Sequence, residues 1–261
     1  MSYQLLRMGM PISVDFPQCH QLAQKAIDGF RAFLREIPME KRNIFTFLPG
    51  TTEEIPAVDH EDAELGYFLR NGRRHSDRKY DGVGGTYDRK DLWHYVPRIW
   101  DELGKRNVAL SPETELWLRH CHELFEECQR CVYNFARQEH LRPTGLLEAL
   151  HSAERGPLGH THALRLINYH RQSADEPMGH GHTDRDTFTL HVAEKWPAMH
   201  CSKSHRLFKA QPDKALLFPG DKADRFLGIP AFDHYVHDTT GRSKEEERWV
   251  VVFFAHTNPS P

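Results

Sequence analysis

Nineteen histidines in 261 residues are the compositional outlier of this chain, and imidazole is both the commonest metal ligand and the side chain that titrates near neutrality. The densest cluster of ligand types is Gly179-His180-Gly181-His182-Thr183-Asp184. In an extended segment His182 and Asp184, two positions apart, point to one face and can share a metal ion. A second histidine must come from elsewhere, and the segment Phe232-Asp233-His234-Tyr235-Val236 offers His234. Two imidazoles and one carboxylate leave three positions open on an octahedral ion, which suits ferrous chemistry in which a cosubstrate and O2 bind together. Zinc would favour a closed tetrahedron.

Such a triad has to be held by rigid elements, and the sequence supplies two kinds. Between Pro17 and Ile37, Leu22, Ala26, Phe30, Leu34 and Ile37 recur at steps of three and four, which predicts an amphipathic helix. Ser111 followed by Pro112, Glu113 and Glu115 is a helix start, and the apolar stripe Leu118, Cys121, Phe125, Cys128, Val132, Phe135 carries that helix to about Gln138. From Pro38 to Gly104 the pattern breaks into short pieces and reads as a loop-rich insert. Its cluster Gly82-Val83-Gly84-Gly85 lacks the Lys-Ser/Thr ending and the preceding apolar strand of a phosphate loop. After Arg155 the texture changes to short β-rich runs: Ala163 to Tyr169, Thr187 to Val192, Ala215 to Phe218, Phe232 to His237 and Trp249 to Ala255. Strands in succession without intervening helices indicate a sandwich or jelly roll. The expected architecture is α+β in a single domain, residues 1–154 forming a helical, loop-rich buttress and 155–257 the jelly-roll core.

Composition excludes several classes. The net charge is −3, with 34 basic and 37 acidic residues, and no basic block tracks a phosphate backbone, so a nucleic-acid partner is not expected. Apolar stretches such as Val250 to Ala255 fall far short of the ~20 residues that span a bilayer. Met1 to Pro11 has no apolar core of a signal peptide, and five cysteines without such a signal read as free thiols, so a cytoplasmic protein is expected. Cys128-x-x-Cys131 has no second ligand pair, and Cys121 and Cys128 fall on the apolar stripe, which favours core packing over metal or redox use.

The segment His182-Thr183-Asp184-Arg185-Asp186-Thr187-Phe188-Thr189-Leu190 resembles, in register, the His-Thr-Asp-x-x-x-x-Thr-Leu of the isopenicillin-N-synthase-like family of Fe(II)/2-oxoglutarate-dependent oxygenases. Leu164-Arg165-Leu166-Ile167-Asn168-Tyr169 is similar to the family strand that ends in a 2-oxoglutarate-holding tyrosine. Leu217-Phe218-Pro219-Gly220-Asp221 resembles its Gly-Asp turn, His234-Tyr235-Val236 its His-Arg-Val, and Arg248 to Phe254 its Arg-x-Ser strand. Asp88 to His94 resembles the stretch that precedes the barrel, so the likeness spans about residues 60 to 256. It implies a double-stranded β-helix with N-terminal and mid-chain helices packed on it. It further implies Fe(II) on His182, Asp184 and His234, with 2-oxoglutarate as cosubstrate, O2 as oxidant, and Arg248 and Tyr169 on the distal carboxylate.

Three departures accompany the likeness. The Ser of Arg-x-Ser is Val250, the Arg after the metal histidine is Tyr235, and the N-terminal portion matches poorly. A His180-Asp184-His234 triad is geometrically possible but loses the spacing to Thr189-Leu190. If Tyr169 faces the barrel interior, so do Ile167 and Arg165, which makes Arg165 a substrate-anion candidate; Lys90 and His94 are further candidates near the entrance. Retention of Asp184 favours hydroxylation, desaturation or ring formation of a small polar metabolite, such as an amino acid or derivative, over halogenation. The alternatives are an Fe(II) oxidase that does not use 2-oxoglutarate and a catalytically silent binding barrel.

Overall fold

The computed structural model describes residues 2–48, 65–70, 89–138, 141, 144–154, 161–171 and 177–257; the glycine cluster at 82–85 lies outside them. Six α-helices are present among these residues: α1 (Ser2–Arg7), α2 (Cys19–Glu36), α3 (Ile99–Lys105), α4 (Pro112–Ala136), α5 (Leu146–Ala153) and α6 (Ala223–Leu227). The strands in the first half are β1 (Ile12–Asp15), β2 (Thr46–Phe47), β3 (Leu65–Arg70) and β4 (Lys90–Tyr95). Those in the second half are β5 (Ala163–Tyr169), β6 (Gly179–His182), β7 (Phe188–Glu194), β8 (Met199–Cys201), β9 (Leu207–Phe208), β10 (Lys214–Pro219), β11 (His234–Val236) and β12 (Arg248–Ala255).

They form two sheets, one in the order β1-β10-β7-β12-β5-β4-β3-β2 and one in the order β6-β11-β8-β9, with every pair antiparallel. The chain from β5 to β12 winds back and forth between the sheets, which is the course of a double-stranded β-helix. The fold is the expected one.

The two long helices lie on the outer face of the larger sheet. On that face Tyr67, Trp93, Leu166, Leu190, Val251 and Phe253 join Ala26, Ile27 and Phe30 of α2 and Leu118, Cys121 and Phe125 of α4 in one buried apolar cluster. Each large aliphatic or aromatic side chain among them removed from water contributes about 1.5–3 kcal/mol. Gly29 of α2 is there for space: a Cβ would collide with the ring of Trp117, whose indole N–H donates to Ala26 O at 2.9 Å. Helix α4 starts as its sequence requires, Ser111 Oγ accepting from Thr114 N at 3.2 Å with Pro112 in the first turn, a cap that contributes about 1 kcal/mol. Its cysteines pack as small hydrophobes: all five in the chain are free thiols, and burial raises Cys121 and Cys128 well above the usual range.

The segment from Pro38 to Gly104, expected to be loop-rich, supplies β3 and β4, and residue 154 is not where the sheet begins: β1 to β4 occupy its two flanks. The reason is that β4 is buried on both faces. Lys90, Leu92 and His94 face inward while Asp91, Trp93 and Tyr95 face outward, so polar residues fall on both sides and erase the alternation that marks a half-exposed strand.

Candidate metal centre

Strand β6 delivers His182, the turn after it delivers Asp184, and β11 delivers His234 as the register partner of His182. One ligand atom from each lies within 4.8 Å of the others. His182 Nε2 is 3.5 Å from Asp184 Oδ1, and the two imidazole centroids are 4.6 Å apart. Among the described residues this is the one group of three potential ligands so arranged. The His182 side chain is about half exposed and His234 is buried, so the site opens on the His182 side. The side chain of His180 is not described.

Each ligand is oriented by neighbours. Thr189 Oγ1, at the start of β7, donates to Asp184 Oδ2 at 2.5 Å, which leaves Oδ1 facing the imidazoles. His234 stacks on Phe232 at 5.4 Å with its Nδ1 toward Phe232 O at 3.3 Å, which leaves Nε2 for a metal. The Gly220-Asp221 turn clamps the loop that carries Asp184: Asp221 N donates to Asp184 O, Gly220 N to Thr187 O and Lys222 N to Asp186 O. Only glycine fits at 220, because a Cβ would collide with the carboxylate and backbone of Asp186. Thr189 and Gly220 stand in the sequence at fixed offsets from recognisable residues, but their positioning roles show only in three dimensions.

Electrostatics follow from this packing. Burial pushes the Asp184 carboxyl up, yet the imidazoles of His182 and His234 and the Thr189 hydroxyl outweigh it and hold Asp184 below the usual carboxylate range. Burial and the neighbouring His182 push His234 down to about 4. Both groups therefore present the metal-binding protonation state, carboxylate and neutral imidazole, at neutral pH. Asp186 is pushed far up by burial and then by Asp184.

The far end of the interior holds a second polar cluster. Tyr169 and Arg248 are register partners on β5 and β12, with the guanidinium 5.3 Å from the Tyr169 ring centroid. Arg248 is 1 % exposed; it donates through Nη2 to Glu194 Oε2 at 2.6 Å and through Nε to Trp196 O at 3.0 Å. Its Nη1 is buried with no hydrogen-bond partner among the described residues. Glu194 also accepts from Ala210 N and stands 3.4 Å from His191 Nε2. Burial pushes Glu194 up, but the adjacent His191 and Arg248 outweigh it and bring it to about 2. Sequence reasoning missed Glu194 altogether. A bulge explains why: Val251 pairs with Ala193 but Val252 with His191, so Val192 and Ala193 both face the helices and both His191 and Glu194 face inward.

Lys90 and His94, expected near the entrance, are instead buried in the interior wall at 8 % and 7 % exposure. Their strand is paired on both sides in the larger sheet, and their side chains lie on its inward face. Lys90 Nζ lies 5.1 Å from the Tyr169 ring centroid, and His94 accepts from Arg165 Nε. His162 is buried just before β5, where Nδ1 accepts from His256 N and Nε2 meets Tyr133 OH at 3.1 Å.

No family model matches the sequence, and no curated protein matches it. Solved structures do match in fold. A Caulobacter crescentus protein assigned to the 2OG-Fe(II) oxygenase family superposes with a TM-score of 0.68 at 16 % identity, over 98 % of this chain and 80 % of that one. JOX2 in complex with 2OG, Fe and JA gives 0.66 at 16 % identity, over 98 % and 70 %. A full-length Neurospora crassa protein in complex with alpha-KG and thymine gives 0.66 at 14 % identity, over 98 % and 78 %. The fold is thus that of the 2-oxoglutarate–Fe(II) oxygenases, across nearly the whole chain. No helix among the described residues is long and apolar enough to cross a membrane.

Proposed function

We propose that this protein is an Fe(II)/2-oxoglutarate-dependent oxygenase that oxidises a small polar metabolite, such as an amino acid or derivative. The observation that carries the reading is the His182-Asp184-His234 cluster at one end of a double-stranded β-helix. The donor set fits ferrous iron: two imidazoles and one carboxylate on one side of the ion, the other side left open. The unpartnered Nη1 of Arg248 fits an incoming carboxylate, which would satisfy a buried donor. Iron bound there, with 2-oxoglutarate and O2, supplies the oxidising power to replace or remove C–H hydrogen, releasing succinate and CO2.

The chain's own residues do the rest. His182, Asp184 and His234 hold the ion, Thr189 fixes which Asp184 oxygen faces it, and Phe232 fixes the His234 ring. Arg248, with Tyr169 beside it, receives the distal carboxylate of the cosubstrate, and the apolar wall of Ile167, Val250 and Val252 excludes water between the two ends. Relatives in fold have been captured with thymine and with JA, which supports a small organic substrate.

Anaerobic titration of the Fe(II)-loaded protein with 2-oxoglutarate, read by its visible metal-to-ligand charge-transfer band, tests this. A saturable band, lost in His182→Ala, is the expected result. Two observations favour a second reading, an Fe(II) oxidase without 2-oxoglutarate: Glu194 already neutralises Arg248, and Val250 offers no hydroxyl. Iron binding without a band would select it; no iron binding would end both.

A further inference from the structure

Strand register lays out the inner face of the larger sheet in rows. One row contains Ala163, Phe254 and Thr189, and its Thr189 hydroxyl holds Asp184. The next contains His94, Arg165, Val252 and His191. Neighbouring rows on one face are two residues, about 7 Å, apart along a strand.

Arg165 does not stay in its own row. Its guanidinium carbon lies 4.5 Å from the centroid of the Phe254 ring, so the side chain leans into the row that holds Asp184. Its Nε donates to His94 Nε2, and the His94 ring stands edge-on to Phe68 at 4.6 Å. The guanidinium carries the positive charge of the pair. A planar guanidinium held on two sides is preorganised for bidentate capture of an oxyanion. The other inward-facing cations of β4 and β12 sit elsewhere: Lys90 and Arg248 flank Tyr169 at the far end, and Glu194 cancels Arg248.

Building on the Fe(II)/2-oxoglutarate reading, we propose that Arg165, held by His94 and Phe254, docks a carboxylate of the substrate beside the metal, so that the oxidised compound is an anionic small molecule. Arg165 would then set specificity: it orients an acid group of the substrate and takes no part in holding iron or the cosubstrate.

The probes are phenylacetate, benzoate and N-acetylglycine, each paired with its neutral primary amide, added anaerobically to the Fe(II)/2-oxoglutarate complex. The expected result is a saturable shift of the charge-transfer band with at least one acid and at least ~10-fold weaker response to its amide. Arg165→Gln and Arg165→Met should abolish that response while the cosubstrate band still forms and thermal unfolding stays cooperative; Arg165→Lys should restore part of it. Indifference to all three acids, equal response to acid and amide, or an unchanged response in Arg165→Gln would overturn the assignment. Loss of the cosubstrate band in Arg165→Gln would also overturn it, by placing Arg165 on the cosubstrate. Absence of that band in the wild type would instead refute the oxygenase reading itself.

Discussion

The two faces of the larger sheet are built from the same strands and have opposite characters. On the outer face Trp93, Leu166, Val251 and Phe253 meet two helices in a continuous apolar layer. On the inner face, one residue along, the same strands present Lys90, His94, Arg165, Thr189, His191 and Arg248. The period of two makes this division possible, since alternate residues never compete for the same surroundings. What it teaches is a separation of duties: the outer layer supplies the stability that offsets the cost of desolvating the charges within. Changes on one face should therefore leave the property of the other face intact.

The largest effect that would break this expectation is at the metal end. Asp184→Ala should abolish ferrous binding in equilibrium dialysis, while the metal-free protein still unfolds cooperatively. Next comes the outer face, where Trp93→Ala should cost about 3–5 kcal/mol in urea unfolding, with iron stoichiometry in the folded fraction unchanged. If that variant folds but binds no iron, the two faces are coupled and the separation fails.

A buried histidine on the outer side gives a pH signature. Burial pushes His162 down to about 4 from its ordinary 6.5, so the unfolded chain binds the proton more readily between those values. Stability contributed by neutral His162 is complete above pH 6.5 and is lost as pH falls toward 4, by about 3 kcal/mol. Denaturant unfolding of wild type and His162→Gln across that range should show a difference that shrinks as the pH drops. Smaller still, Thr189→Val should lower iron affinity by roughly 10- to 100-fold by freeing the Asp184 carboxylate, with cooperative unfolding retained. The smallest effect expected is at Val250: Val250→Ser adds a hydroxyl beside Arg248 and should tighten 2-oxoglutarate binding about fivefold, about 1 kcal/mol.

Legibility from sequence followed the same division. The two long helices and the strands β5, β7, β10, β11 and β12 were readable from their apolar patterns: α2 and α4 came within a few residues, and β5 matches its expected span. His182 and Asp184 were readable because ligand types two apart in the sequence need no tertiary knowledge, whereas His234 came from a separate segment and the family likeness of His234-Tyr235-Val236. The polar strand β4 and the short strands β6, β8 and β9 carry no such period. Glu194 was invisible for a deeper reason. Its inward direction depends on a bulge, and its partner Arg248 lies on another strand, so no local pattern encodes the pair.

Strand β1 pairs along β10 from Ile12↔Leu217 to Asp15↔Lys214, and at the opposite border β2 is only two residues long. Open borders of a sheet are templates for self-association, and proteins blunt them with short or covered strands. Four residues near the start of the chain thus act as a selvedge. Trimming them would bare the hydrogen-bonding groups of β10, whose Ala215, Leu216, Leu217 and Phe218 are all buried, and would offer that edge to any passing strand.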